Sequence, residues 1–393
     1  MSNTVTAAYK SVQPNRTQAY LRSNLVADFI ARAEFGNVTP AQTIKFPYGN
    51  SVKVQDYGYQ AGNARTDMNL TADSYTIDKA KTAVMGYDKL QNLFIQNPSW
   101  VNEVEQEMGY QLARSVDQYI IQKGVDGAYT PITGGAITAG GLLQLMAETA
   151  ARLREAQRMA GTLYFLMDPL RAALLPQMNA SSGFARADDA LVQGFNGYEG
   201  QQSCGFVVLV SNDLLYTVTV TFSAIPVAGT TITLGGFTAQ WAASGAATNA
   251  NDISIGSTAA DAEANLVLWV NGTGTPGAST YIDASAEDRV SMQNSGITLS
   301  SFVANVATLT KYGRINASTT GATVTFGTET SNMLAGVAGA IDLTMLQAPL
   351  FEELPAQTSG NVTHAKDMIM TELFGGGVWY RRKRSLAKVS FNA

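Results

Sequence analysis

The sequence predicts an α+β chain whose body is interrupted by a mainly β region. Three observations carry that expectation. A single amphipathic pattern spans Pro98 to Lys123, period-two alternations begin at Thr43, and the texture changes at Tyr216 to Thr, Ala, Gly, Ser and Val until about Glu329. Hydrophobic residues make up 46% of the 393 and charged residues only 15%, below the roughly 25% of an average globular protein. Much of the surface must therefore be neutral, which suits a protein packed against copies of itself.

Residues 1–42 are mixed and polar, with a short helical pattern at Leu21, Leu25, Phe29 and Ile30 ending near Gly36. Ile44, Phe46, Val52 and Val54 then alternate with polar residues, a strand signature that Pro47-Tyr48-Gly49-Asn50 is expected to break as a turn. The polar stretch Asp56 to Asp73 leads to a return strand at Tyr75, Ile77 and Ala80 to Tyr87. A loop that long without a core of its own is usually functional, or is ordered by a partner.

Pro98 to Lys123 is the clearest element. Asn97 stands as N-cap, Pro98 at the first helical position, Glu103 and Glu105 near the positive end and Gly124 just beyond the other. Val101, Val104, Met108, Leu112, Val116, Tyr119 and Ile120 form one apolar stripe. At 1.5 Å per residue this is a rod of about 39 Å. A second helix is expected from about Gly140 to Ala160, with Leu142, Leu145, Met146, Thr149 and Leu153 inward and Gly161 as its stop. Leu163 to Met167 reads as a buried strand, Asp168-Pro169 starts a short helix, and Phe206 to Val210 is again a strand. That order is a small α/β module.

In the β region, Tyr216, Val218, Val220 and Phe222 alternate with threonines or valine-flanking polar positions, and Ala259 to Val270 is the one helical stretch expected. After Met333 the mixed texture resumes, with a helix-like Ala365 to Phe374, a turn at Gly375-Gly376-Gly377, and a final strand pair including Val378 to Tyr380 and Val389 to Phe391.

Nothing in this order assembles chemistry. His364 is the single histidine and Cys204 the single cysteine, so neither an intrachain disulfide nor a multi-ligand His or Cys metal site can form. The carboxylate pairs Asp188-Asp189, Glu287-Asp288 and Glu352-Glu353 fall in polar stretches and read as solvated faces. No Walker loop is present, and the glycine runs at Gly134-Gly135 and Gly140-Gly141 lack its downstream lysine. No catalytic, cofactor-binding or metal-ligating residue is assigned, and no enzyme is expected. Net charge −5 argues against a dedicated nucleic-acid binder. Arg381-Arg382-Lys383-Arg384 leaves room for a local, non-specific contact with phosphates, beside the plainer reading of an exposed turn. The N-terminus lacks a signal-peptide pattern and no apolar run reaches about 18 residues, so the expectation is a protein neither exported nor membrane-spanning.

The sequence of arm, long two-stranded loop, long helix, α/β module and terminal strands resembles the major capsid proteins of tailed bacteriophages, the Hong Kong 97 type of fold. The resemblance implies an N-terminal arm at 1–42, an E-loop at Val52 to Asp78 within a peripheral domain at 43–136, and a spine helix at Pro98 to Lys123. It further implies an axial domain at 137–215 with 330–371, an inserted β-rich domain at 216–329, and C-terminal strands at 372–393 returning to the peripheral domain. Within the insertion, TITLGGFTAQWAA followed by NDISIGSTAADAEANLVLWVN is similar to a repeat of phage structural proteins, with Asp252, Ile255, Gly256, Ala259, Ala260, Ala264 and Asn265 at its expected places.

The implied function is self-assembly into hexamers and pentamers of an icosahedral shell around phage DNA. It brings a separate scaffolding protein and a portal as partners, and a place in the virion capsid after assembly in the bacterial host cytoplasm. Arg65 is the only basic residue between Asp56 and Tyr75, so the lysine crosslink of some relatives is not expected. Two rival readings are a tail tube or decoration protein, which the inserted motif alone would fit, and a carbohydrate-binding β module suggested by Trp241 and Trp269.

Overall fold

A computed structural model describes residues 26–35, 43–49, 70–88, 100–156, 161–175, 202–203, 205–355 and 365–392. In chain order its elements begin with α1 (Val26–Ile30), β1 (Ala31–Phe35), β2 (Thr43–Gly49), β3 (Leu70–Thr76), β4 (Lys79–Asp88), α2 (Trp100–Gly127), β5 (Thr130–Ala136) and α3 (Ala139–Ala156). They continue with β6 (Leu163–Met167), α4 (Pro169–Ala172), β7 (Gln202–Ser203), β8 (Phe206–Val210), β9 (Leu215–Phe222), β10 (Thr231–Leu234), β11 (Phe237–Ala242) and β12 (Asp252–Ser254). The rest are α5 (Ala259–Asn271), α6 (Ala286–Asn294), β13 (Thr298–Leu299), β14 (Val306–Tyr312), β15 (Ser318–Thr319), β16 (Val324–Phe326), β17 (Thr330–Val337), β18 (Ile341–Pro355), β19 (Ala365–Val378) and β20 (Leu386–Asn392).

The chain forms two compact units. The first comprises 1–127, 157–161 and 337–385, and the second 128–156, 162–336 and 386–393. This partition differs from the expected one in three places. Residues 341–355, expected beside 137–215, form β18 in the first unit, paired with β1 and β19. The last strand, expected to return to the long helix, is β20 in the second unit, antiparallel to β17 and parallel to β5. Residues 216–329 are not set apart, because β9 pairs with both β14 and β17 and so continues the large sheet that holds β6 and β8.

The first unit is built on a four-stranded sheet in the order β1-β18-β19-β4. Along β19, Met368, Met370, Glu372 and Phe374 are buried while Ile369, Thr371 and Leu373 are only half-buried. That is period two, and it places the four buried residues under α2. Met108 and Leu112 of α2 pack on Met368 and Met370, Ser115 bonds Glu372, and Tyr119 meets Phe374 edge-on at 5.3 Å. The advance of about 16 Å along the helix from 108 to 119 is close to the roughly 20 Å along the strand from 368 to 374. The seam therefore stays in step.

The segment 365–374 is thus a strand and not the expected helix. Its Met, Glu and Leu favour helix intrinsically, but pairing on both sides, with β4 from Ala365↔Asp88 to Phe374↔Lys79 and with β18, overrides that preference. Gly375 to Gly377 are also strand, not turn. A Cβ on Gly375 would lie 2.7 Å from Ile77 Cα and from Thr76 O, and one on Gly376 would lie 2.7 Å from Asp342 O and 3.0 Å from Ile120 Cδ1. Only a backbone without side chains lets β3, β18 and α2 approach so closely.

The long helix runs past its expected stop, through a buried Gly124 to Gly127. Burial of Ile120, Ile121 and Val125 outweighs the ~1 kcal/mol cost of a helical glycine. Asn97 and Pro98 lie outside the described residues. On another face of α2, Asp117 accepts hydrogen bonds from the backbone of Ala27 (2.8 Å) and Val26 (3.2 Å), satisfying two donors in the first turn of α1. Beyond Ile30 the predicted helical pattern becomes strand β1, parallel to β18.

β2 and β3 form an antiparallel hairpin, in register from Thr43↔Thr76 to Gly49↔Leu70, but the return strand expected to continue through Ala80 to Tyr87 ends at Thr76, and those later residues lie in β4, paired with β19. The turn expected at Pro47 does not occur there. Pro47 lies within β2, tolerated because each strand of a two-stranded sheet keeps an unpaired edge. Residues 50–69, which hold most of the expected E-loop, lie outside the described residues.

In the second unit α3 buries Leu142, Leu145, Met146, Thr149 and Leu153, the stripe read from sequence. β6 is buried at every position and runs parallel to β8, as the α/β module requires. Arg171 of α4 fastens the chain end, donating to Asp168 at 3.1 Å and to the carbonyl of Asn392 at 2.7 Å, with its guanidinium 4.4 Å from the Phe391 ring centroid. The expected single helix of the β region is joined by α6, capped by Ser285, whose hydroxyl accepts from Asp288 N. Glu287 and Asp288 are therefore first-turn residues of a helix and not loop carboxylates.

Replacing Gly375 by alanine is expected to destabilise the folded chain by about 1–3 kcal/mol, the usual range for overpacking. The measurement is the shift in chemical denaturation midpoint, and it should exceed the shift for Thr371→Ala on the same strand.

Candidate functional site

The residues that could have carried chemistry are either committed to the fold or outside the described residues. His364, Cys204 and Asp188-Asp189 are in the second group, and Glu352-Glu353 fall within β18. Among the described residues no group of three or more His, Cys, Asp or Glu could hold a metal ion. No helix is long and apolar enough to cross a membrane. Within the basic run, Arg382 donates to the buried Asp342 at 2.7 Å and to Gly339 O at 3.4 Å, so this guanidinium braces the sheet. Trp241 and Trp269 are 1% and 0% exposed. Their ring faces pack inside the protein, Trp241 edge-on to Phe222 at 5.9 Å, which removes the sugar-stacking platform from the carbohydrate reading.

What the first unit does present is a clamped hairpin. Tyr48 of β2 stacks on Tyr380 with centroids 5.2 Å apart, and Tyr75 of β3 packs on Trp379 at 5.3 Å. Tyr380 N donates to Asp73 at 2.5 Å, and the Tyr75 hydroxyl bonds Thr344 Oγ1 at 2.6 Å. These contacts tie the hairpin to the sheet and to the segment after β19. Leu70 is 63% exposed, and every position of β3 is exposed or half-buried. A two-stranded hairpin of that kind is marginal unless something packs on it. The aromatic clamp was not legible in the sequence, because Tyr48 and Tyr380 are joined only by the fold.

In the second unit the inserted motif forms a strand-turn-strand, β10 and β11, followed by β12 alongside β11 and then α5. Asp252 is buried and accepts from Thr248 N, Asn249 N and Asn249 Nδ2 at 2.8–3.2 Å, fixing the turn before β12. Ile255 N donates to Ala242 O at 3.0 Å. Gly256 has φ +64°, and a Cβ there would lie 2.2 Å from Asp261 Cβ. Thr258 and Asp261 make a reciprocal capping box on α5. The backbone donors of Ser257 and Thr258 hold the Asp261 carboxyl below its ordinary value. Asn265 then donates to Ser254 O at 2.9 Å and Ser279 O at 3.3 Å, stitching helix to strand. Nothing in the structure explains the exposed Ala260 and Ala264. Asp252, Thr258, Asp261 and Asn265 are thus spent on turns, a cap and a helix-to-strand tie, so the motif is a folding device that holds α5 beside β12 of the small sheet β12-β11-β10-β15.

With this geometry in hand the whole chain can be set beside solved structures. The capsid structure of the cyanophage P-SCSP1u is similar over 93% of this chain and 88% of that one, at a TM-score of 0.51 and 11% sequence identity. The chain has a phage capsid fold. The mature capsid of bacteriophage PhiM1 (TM-score 0.48, 11% identity, 94% and 87% covered) and a chain of Mycobacterium phage Che8 (0.49, 12%, 88% and 84%) are also similar. No family model and no curated protein sequence matches.

Alanine at Gly256 must adopt a left-handed backbone, which costs about 1–2 kcal/mol for an L-residue before any clash is counted. Gly256→Ala is expected to lower the thermal midpoint and to raise amide exchange in α5 more than in α3, read by hydrogen exchange with mass spectrometry.

Proposed function

We propose that this chain is the major capsid protein of a tailed bacteriophage, a structural protein and not an enzyme, which assembles with itself into hexamers and pentamers of an icosahedral shell around DNA. The observation that carries the reading is the likeness of fold to a phage capsid over nearly the full length of both chains. Composition agrees with it. A surface poor in charge loses little solvation when it is packed against other copies.

In this reading β2, β3 and the residues between them are the E-loop, α2 is the spine helix, the first unit is the peripheral domain, and the second is the axial domain carrying the insertion. The hairpin explains how assembly would work. A clamped base with little buried surface of its own gains stability by lying on an adjacent subunit, and heterologous contacts that close by rotation give rings. A separate scaffolding protein and a portal are the further partners, and any contact with packaged DNA is non-specific. The protein resides in the virion capsid after assembly in the host cytoplasm.

The test is to express the chain, with a scaffolding partner where needed, and to examine it by negative-stain microscopy and sedimentation. Closed shells tens of nanometres across are expected. Straight tubes would move the protein to a tail, and a monomer that persists on concentration would refute assembly. Replacing residues 52–67 by a short Gly-Ser linker is expected to leave a folded protomer by circular dichroism but to abolish shells.

A further inference from the structure

From Met368 to Phe374, the face of β19 that α2 covers is apolar except at one position. Glu372 is 2% exposed and sits between Met370 and Phe374 on the face that α2 covers. Its Oε1 accepts one hydrogen bond, from Ser115 Oγ at 3.0 Å. Its Oε2 has no hydrogen-bond partner among the described residues. The cross-strand neighbour is Lys81 of edge strand β4, whose side chain is exposed. From α2 the polar groups nearest along the seam are Ser115 and, one turn on, Tyr119, whose hydroxyl bonds Gly376 O at 3.3 Å. Lys81 is the charged group acting on the carboxyl, while Asp78 and Tyr75 act on Tyr119 instead. Three residues beyond Glu372, the glycines of β19 carry the base of the hairpin.

We infer that this seam is a proton-sensitive joint, closed when Glu372 carries a proton and loosened when it does not. A carboxylic acid with one donor and one unmet oxygen can be buried at modest cost, whereas an anion in the same place cannot. Burial pushes the Glu372 carboxyl up to about 8, against the smaller opposing pull of Ser115 and Lys81. The sign of the linkage follows from that direction. Below an ordinary Glu value of about 4.3 the group is protonated folded or unfolded, and it gives no pH dependence. Between there and about 8 the folded chain holds a proton that the unfolded chain has lost, so stability falls as pH rises. Above that window both states are ionised and the folded state carries the full penalty. Because the strand that bears Glu372 also bears the glycine shelf under β3, loosening α2 would loosen the hairpin's footing as well.

The experiment is chemical denaturation of the full chain, kept dilute and unassembled, at a series of pH values for wild type, Glu372→Gln, Ser115→Ala and Lys81→Met. Relative to the near-isosteric Glu372→Gln, the wild-type unfolding constant is expected to rise by up to about tenfold per pH unit from about pH 5 to about pH 8. Ser115→Ala and Lys81→Met each remove a group that favours the anion, and both should move the upper end of that window to higher pH. Should Glu372→Gln not fold, the other two variants against wild type read the same shift. Parallel curves for wild type and Glu372→Gln, or an upper bend that neither other variant moves, overturn the inference. Neither result depends on shell formation, so a failure of the capsid reading leaves this test intact.

Discussion

The rest of the first unit depends on the fit of one helix to one strand. α2 and β19 advance at nearly the same rate, so that Met108, Leu112, Ser115, Tyr119 and Ile120 meet Met368, Met370, Glu372, Phe374 and Gly376 in turn. Once β19 is held under the helix, its two edges take β18 and β4, and β18 takes β1. Asp117 on another face of the same helix fixes α1. A single rod thus sets the register of a sheet and the place of α1. Its length, 28 residues, is far beyond the ~11–12 of an average helix.

Close approach is the second constraint, and it is met by leaving side chains out. At Gly375 and Gly376 the backbone of β19 passes Ile77 and Asp342 with no room for a Cβ, and at Gly377 a Cβ would press on the Tyr75 side chain at 3.0 Å. The aromatic residues that follow, Trp379 and Tyr380, then reach the hairpin. Small residues bring the elements together and large ones lock them. The second unit uses polar locks for the same purpose. Arg171, buried with Asp168, grips the last strand through Asn392 O, and breaking such a buried pair from one side typically costs about 3–5 kcal/mol. Asp252 and Asn265 play the corresponding part around α5.

This division of labour bears on function. The polar side chains that a search for chemistry would single out, Arg382, Asp342, Asp252, Asp261 and Asn265, are engaged with the protein's own backbone or with one another. The less satisfied surface is the hairpin, with exposed Leu70.

The sequence by itself determined the elements whose signals are local. The stripe of α3, the continuous apolar runs of β6 and β8, the hairpin pairing and the body of α2 follow from periodicities that depend only on which residues are three, four or two apart. α6 was not among the expected elements: Ser285 and Asp288 stand at capping spacing, but a helix burying little beyond Met292 leaves no apolar stripe to read. Tertiary structure alone decided residues 365–378, where helix-favouring Met, Glu and Leu become strand because two neighbouring strands supply backbone partners, and where three glycines mark contact instead of a turn. It also decided that β20 joins β5 and β17. Strand partners are chosen across hundreds of residues by shape and hydrogen bonding, and a local pattern records that a residue is buried without recording what buries it.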